Sequence, residues 1–280
     1  MTVTVEPLDA ALGARIVGLD RERPPEAEEL ALLRAAMETH LAIVIEDLPE
    51  DPAWLLAVGR RFGPLVPHMY GQYHHPFSSE ISVIAAKTGT REARPTAKAA
   101  GAYWHSDLSY KKEPSDAIFL YASLLPSRGG DTLMCNMASA YEALPEATKR
   151  RLDGRTALHY WRWNTGGASL TLSPEEEARY PVVEHPVVRV HPESGRRSLF
   201  VNPGYTMSIE ELPKDESDRL LAELFEHALQ PQFVYRHRWR KGQLVGLDNR
   251  ATMHAAIDDY DEPRRMLRMI VGCTDPQLLA

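Results

Sequence analysis

The N-terminal residues alternate polar and apolar side chains, first Thr2-Val3-Thr4-Val5 and then Ala14-Arg15-Ile16-Val17. A period of two predicts two short strands, with Gly13 between them. From Pro24-Pro25 the period becomes helical: Leu30, Leu33 and Met37 share a face, and the pattern stops near His40. Leu41 to Ile45 is continuously apolar and predicts a buried strand. Asp51-Pro52 supplies an N-cap and a first-turn proline for a second amphipathic helix that ends at Phe62-Gly63. Residues 64–103 are irregular and rich in Pro, Gly, His and Tyr, with one strand expected at Ile81 to Ala85. Within them Thr88 to Ala102 has little to bury, and the stretch from about 66 to 103 is expected to form a mobile lid. An apolar run at Ala117 to Leu125, a Gly129-Gly130 turn and a strand over Asp131 to Met137 follow. Helices are expected over Ala138 to Leu152 and Asp215 to Leu229, the latter with Leu220, Leu221, Leu224 and Phe225 on one side. Further strands are read at Val187–Val190, Ser198–Val201, Phe233–Trp239, Leu244–Leu247 and Arg265–Gly272. Many strands and few helices, joined by connections of varied length, predict a mainly β protein with peripheral helices around a double-stranded β-helix (jelly-roll or cupin-like) core. No repeat or composition break divides residues 1–280, which read as a single domain.

Composition narrows the partners. At 280 residues, 44% hydrophobic and 25% charged, the chain has the makings of one large globular core. A net charge of −7 opposes a nucleic-acid backbone or an anionic membrane as partner. The basic run Arg236-His237-Arg238-Trp239-Arg240-Lys241 reads as one solvated strand face. Two cysteines, Cys135 and Cys273, make no disulfide framework and suit a reducing cytoplasm. The N-terminus carries no secretion signal, and no apolar run is long enough to span a membrane. The expected partner is a small molecule; a homo-oligomer is compatible with this composition.

The chemistry concentrates in His105-Ser106-Asp107. On an extended segment residues i and i+2 face the same way, so His105 and Asp107 can grip one ion while Ser106 points away. His254, far downstream, offers a third ligand. Two imidazoles and a carboxylate leave adjacent coordination positions open on a ferrous ion; the same set holds zinc in hydrolases. Hydrogen-bonded core histidines in a non-catalytic jelly-roll binding protein are a third reading. His191-Pro192-Glu193 imitates the motif, but Pro192, Ser194 and Gly195 place it in a tight turn whose side chains are expected to face solvent.

Several segments in order carry a family likeness: Trp104-His105-Ser106-Asp107, Gly129-Gly130-Asp131-Thr132, His185 through Pro192, Leu199 through Tyr205, Trp239 through Asp248-Asn249-Arg250 to His254, and Arg264-Arg265. Thr132 lies 25 residues beyond Asp107 and Arg265 lies 11 beyond His254. Over nearly its whole length the chain resembles the taurine/2,4-D dioxygenase family of Fe(II)- and 2-oxoglutarate-dependent oxygenases. The resemblance implies that His105, Asp107 and His254 hold Fe(II), with 2-oxoglutarate and O2 as cosubstrates. It assigns Thr132 and Arg265 to the distal carboxylate of 2-oxoglutarate, a guanidinium fork and a hydroxyl being suited to that dianion. Arg268 competes for the task; strand parity puts 265 and 268 on opposite faces, and Arg265 is preferred. Asp248-Asn249-Arg250 is expected to shape the turn that carries His254.

The implied reaction is oxidation of an unactivated C–H bond of a small anionic or amino-acid-like substrate, coupled to decarboxylation of 2-oxoglutarate to succinate. Hydroxylation, desaturation and release of a leaving group all stay open. Scavenging of a sulfonate or alkyl sulfate is the alternative. His68 matches a sulfonate-contacting histidine of the family. Gly101 stands where taurine enzymes carry a substrate-binding Asn, and Met269, beside Arg268, where they carry an Arg. Tyr73, Tyr103, Tyr205 and Arg162 complete the candidate substrate contacts, Arg162 on the expectation that it points inward between indoles.

Overall fold

The period-two segments at the N-terminus form β1 (Thr4–Pro7) and β2 (Ala14–Val17), paired antiparallel, in a computed structural model that describes residues 2–86, 101–164 and 173–275. Helix α1 (Ala27–His40), strand β3 (Ala42–Ile45) and helix α2 (Pro52–Phe62) follow as the pattern predicts. Asp51 caps α2 by accepting from the N–H groups of Ala53 and Trp54. Two strands, β4 (His74–His75) and β5 (Ser78–Ala86), precede β6 (Ala117–Leu124) and β7 (Thr132–Asn136). The helix expected over 138–152 is two, α3 (Met137–Glu142) and α4 (Glu146–Leu152), because Pro145 cannot continue the first. Then come β8 (Thr156–His159), α5 (Pro174–Glu177), β9 (Val183–Pro186), β10 (Val188–Val190), β11 (Arg197–Leu199), β12 (Thr206–Ile209) and α6 (Lys214–Ala228). The chain closes with β13 (Val234–His237), β14 (Leu244–Asp248), β15 (Thr252–Ala256) and β16 (Arg264–Val271).

Eight strands build the large sheet in the order β1-β2-β3-β14-β6-β16-β5-β4, and the others form smaller sheets, β13-β7-β15, β12-β8-β9 and β10-β11. Strand parity sorts the side chains into layers. Phe119 and Tyr121 of β6, with Leu267 and Met269 of β16, pack under Leu33, Met37, Leu55 and Val58 of α1 and α2. The alternate residues, Ile118, Leu120, Met266 and Ile270, face inward against Met134 of β7. Cys135 shows the other face of β7 to a cluster with Leu220, Leu221 and Leu224 of α6. Helices thus cover both outer faces of a two-sheet sandwich, the jelly-roll arrangement read from the strand pattern. The interior between the sheets holds the site.

Of the expected lid, residues 87–100 lie outside the described residues. No described helix is long and apolar enough to cross a membrane.

Candidate metal and cosubstrate site

His105 is tied to His254 by two backbone hydrogen bonds, His105 N–H to His254 O at 3.0 Å and His254 N–H to His105 O at 2.8 Å. This isolated bridge to β15 brings the remote imidazole beside the His-x-Asp pair, with ring centroids 4.3 Å apart. Ser106 turns the other way and donates to Thr252 O at 2.8 Å. The ligand atoms of His105, Asp107 and His254 all lie within 4.8 Å of one another, and the three residues are buried. Asn249, fully buried, clamps both sides of Asp107: its Oδ1 accepts from Asp107 N–H at 2.8 Å and its Nδ2 donates to Asp107 O at 2.8 Å. Ser115 Oγ adds a bond to the same carbonyl at 2.9 Å. The Asn249 expected to shape a turn therefore also fixes the backbone of the carboxylate ligand.

These groups suit a divalent ion. His105 Nδ1 faces Tyr103 O at 2.8 Å, which makes Nδ1 the protonated nitrogen and leaves Nε2 with its lone pair. Asp107 Oδ2 and His254 Nδ1 are buried with no hydrogen-bond partner among the described residues. Burial depresses both imidazoles, His254 to about 3, so they stay neutral, the form that ligates. Burial alone would raise the Asp107 carboxyl; the Arg268 guanidinium and the neighbouring histidines outweigh it and hold the pKa below its ordinary value. A charged carboxylate with an idle oxygen, next to two neutral imidazoles, is the donor set of a facial triad.

Beside the triad, Thr132 opens β7, 3% exposed, its Oγ1 accepting from Trp239 Nε1 at 2.9 Å. Arg264 lies nearby on the inner face of β16, 7% exposed. Its stem crosses Gly130: a Cβ there would sit 3.2 Å from Arg264 Cδ and 3.3 Å from Nε. With φ at +71°, Gly130 serves both the turn and this close approach. Arg264 Nε has no hydrogen-bond partner among the described residues. The neighbouring carboxylate of Asp131 is already held by Arg236 at 2.6 Å. Burial pushes the Arg264 guanidinium below its ordinary pKa, against the opposing pull of Tyr260, whose ring it approaches at 6.0 Å, and of Asp131.

Arg265, preferred from its distance to His254, lies elsewhere. It faces the helix side of β16, donating to Ser123 Oγ at 2.7 Å and pairing with Glu50 at 2.8 Å. Residues 265 and 268 do point to opposite faces, but the inward face is that of Arg264 and Arg268. The register irregularity at this point falls on β6, where Arg265 and Met266 oppose Leu124 and Ala122. β16 itself keeps strict alternation, so arginines four residues apart share a face.

Arg268 donates Nη1 to Asp107 Oδ1 at 3.1 Å, while its Nε is buried without a hydrogen-bond partner among the described residues. His68 is close enough for the Arg268 charge to act on it. Its Nδ1 accepts from Tyr70 N–H at 3.1 Å, so the neutral ring carries its proton on Nε2. Burial first, and Arg268 second, pull that imidazole down to about 4. Tyr73 packs edge-on against His68 at 4.8 Å. Tyr103 and Tyr205 share a hydroxyl–hydroxyl hydrogen bond of 3.1 Å, and their rings lie 4.9 and 6.0 Å from that of His105. Gly204 makes this packing possible, since a Cβ there would meet the Tyr103 ring at 2.7 Å. Burial raises both phenols, which stay neutral.

Two expectations fail here. Arg162 does not point inward: it is exposed, stacks over Trp161 at 4.5 Å and pairs with Glu177 at 3.5 Å. His191 does not face solvent: it is 3% exposed and contacts Asp248 Oδ2 at 2.9 Å, which removes it from metal binding by a different route. Tyr110 escapes the sequence pattern altogether, although its partly buried ring lies 4.8 Å from Tyr205. A polar aromatic three residues beyond Asp107 is its only signal.

Known proteins resemble this chain in sequence and fold. Residues 4–271 match the family model described as taurine catabolism dioxygenase TauD, TfdA family. The alpha-ketoglutarate-dependent 2,4-dichlorophenoxyacetate dioxygenase of Cupriavidus pinatubonensis is 33% identical, across 98% of this chain and 99% of the relative. The crystal structure of AAD-2 in complex with Mn(II) and N-oxalylglycine superposes with a TM-score of 0.83 at 28% identity, covering 99% of both chains. A taurine dioxygenase from Burkholderia xenovorans gives 0.82 at 30% identity, over 98% of this chain and 90% of that one. The chain belongs to the TauD/TfdA family and is a 2-oxoglutarate-dependent dioxygenase that uses Fe(II), 2-oxoglutarate and O2.

Proposed function

We propose that this dioxygenase oxidises a C–H bond of a small anionic molecule whose charge is received by Arg268 and His68. His105, Asp107 and His254 hold the metal, and Thr132 with Arg264 receive the distal carboxylate of 2-oxoglutarate. The observation that carries the substrate class is Arg268: a largely buried guanidinium that spends one nitrogen on Asp107 and keeps Nε unpartnered among the described residues. A neutral His68 with its proton on Nε2 adds a directional donor near that cation. Carboxylate, sulfonate and sulfate ester all match such a pair. The relatives agree in kind, one named for an aryloxyacetate and another for taurine.

Bound Fe(II) supplies O2 activation coupled to decarboxylation of 2-oxoglutarate to succinate and CO2. The chain's own contribution is placement. Asn249 and the His105–His254 bridge hold the ligands at fixed spacing, so little reorganisation is needed when a metal enters. Arg264 and Thr132 hold one end of the cosubstrate, while Tyr103, Tyr205 and Tyr73 wall the space on the substrate side and exclude water from it. Both cysteines are buried thiols, which suits the reducing cytoplasm we assign to the protein.

The test begins anaerobically, where Fe(II) and 2-oxoglutarate together should give a weak visible charge-transfer band. A panel of small carboxylates, sulfonates and sulfate esters is then scored for O2-dependent succinate release. Arg268→Gln should raise the KM of an accepted anion about thirtyfold, with the band retained at saturating Fe(II). An uncharged amide analogue, poor from the start, should lose little more. Equal turnover of the acid and its amide by the wild type would sink the anionic reading.

A further inference from the structure

Thr132 is buried, and among the described residues its hydroxyl pairs with the Trp239 indole, at 2.9 Å. An indole N–H can only donate, so it occupies a lone pair of the Thr132 oxygen and forces the hydroxyl proton to point elsewhere. The indole is itself held. His237 pairs with Thr132 in the β13–β7 register, and its ring meets Trp239 edge-on at 4.5 Å and 84°. Tyr235 places its hydroxyl 3.1 Å from His237 Nδ1. Burial lowers His237 to about 4, so no charge develops behind the indole at neutral pH. The alternation that sends Arg236 and Arg240 outward to Asp131 and Glu46 turns His237 and Trp239 in toward Thr132.

We infer that Trp239 is a positioning residue for 2-oxoglutarate: it orients and polarises the Thr132 hydroxyl so that its proton is presented to the cosubstrate carboxylate beside Arg264. The inference rests on the assignment of Thr132 and Arg264 to that carboxylate. Trp239 need touch neither metal nor cosubstrate, since its effect passes through one oxygen atom.

The experiment is a double-mutant cycle on the full-length protein, read as the 2-oxoglutarate dissociation constant from the anaerobic Fe(II) band. Trp239→Phe keeps an aromatic ring but removes the N–H together with the five-membered ring, and should weaken 2-oxoglutarate binding about five- to tenfold. Fe(II) affinity and kcat at saturating 2-oxoglutarate should stay within about twofold. In a Thr132→Val background the same change should have no further effect, because the oxygen it acts on is gone. An undiminished effect in that background, or no effect in the wild type, overturns the inference. If Thr132→Val itself leaves binding unchanged, the underlying assignment has failed and not only the role of Trp239. A second readout needs no Trp239 variant. With diamagnetic Zn(II) in the site, the chain's five tryptophans give five indole N–H resonances. One of them should shift when 2-oxoglutarate is added to the wild type, and none should in Thr132→Val. Five unmoved resonances in the wild type, with 2-oxoglutarate bound, also refute it.

Discussion

Arg264→Gln is expected to raise the KM for 2-oxoglutarate about a hundredfold, since truncating one partner of a buried, charge-assisted pair costs on the order of 3 kcal/mol. Arg265→Gln should leave the same constant within about twofold, because a half-exposed ion pair contributes little. The two residues are neighbours on one strand and carry the same charge, so propensity and net charge change equally in both variants. Only the face differs. Arg264 lies inward across Gly130 with Nε unpartnered among the described residues; Arg265 lies outward on Glu50 and Ser123. The measurement is a 2-oxoglutarate titration of succinate release at fixed Fe(II) and substrate, repeated on the anaerobic band to separate binding from turnover. Should Arg265→Gln carry the penalty and Arg264→Gln none, the assignment of the distal carboxylate to the inner face of β16 is wrong.

The outward direction of Arg265 marks how far a sequence alone can reach. Spacing within one extended segment is legible: it pairs His105 with Asp107, and the family resemblance then names His254 as their partner. Parity between Arg265 and Arg268 is legible too. Which parity faces the interior is not, because that depends on how β16 lies between β6 and β5, and no local pattern records it. Counting residues from His254 picks Arg265, the one of two adjacent arginines that faces Ser123 and Glu50 rather than the interior. The inward turn of His237 and Trp239 is open to the same parity argument, yet the density of positive charge suggests only a solvated face. Asn249 is invisible in its main role, since its bonds reach 142 residues back to Asp107. His191 misleads for a related reason: its turn is local and reads as exposed, but Asp248 reaches it from a strand far downstream. The long helices and the apolar strand Ala117–Leu124 are legible from periodicity, whereas β8, with the sequence Thr156-Ala157-Leu158-His159, has no clean polar–apolar alternation, and β12 buries its two ends rather than one face.

Asp248→Asn should be among the most destabilising single substitutions outside the metal site, at about 3–5 kcal/mol, the usual cost of removing one member of a buried ion cluster. Asp248 is fully buried at the end of β14, where its Oδ2 contacts His191 Nε2 at 2.9 Å and Arg250 Nη2 at 2.7 Å. Arg250 Nε adds a bond to Oδ1 at 3.1 Å, and the guanidinium reaches Glu193 at 2.7 Å. An amide keeps the shape but loses the charge, and leaves the largely buried Arg250 paired with the half-exposed Glu193. For a chain of this size the loss corresponds to a melting temperature lower by about 10 °C. The pH dependence follows from the direction of the carboxyl shift. Burial would raise the Asp248 pKa, but the His191 and Arg250 contacts outweigh it and the folded value is depressed. A depressed carboxyl stabilises fully above its unfolded pKa, and that contribution is lost as pH falls from there through the folded value. The gap between wild type and Asp248→Asn should therefore be constant from neutral pH down to about pH 5 and close only in stronger acid. Denaturant melts of both proteins across that range check it. A gap that is absent at neutral pH, or that widens toward acid, would mean that the cluster does not hold the backbone from which Asn249 reaches the Asp107 ligand.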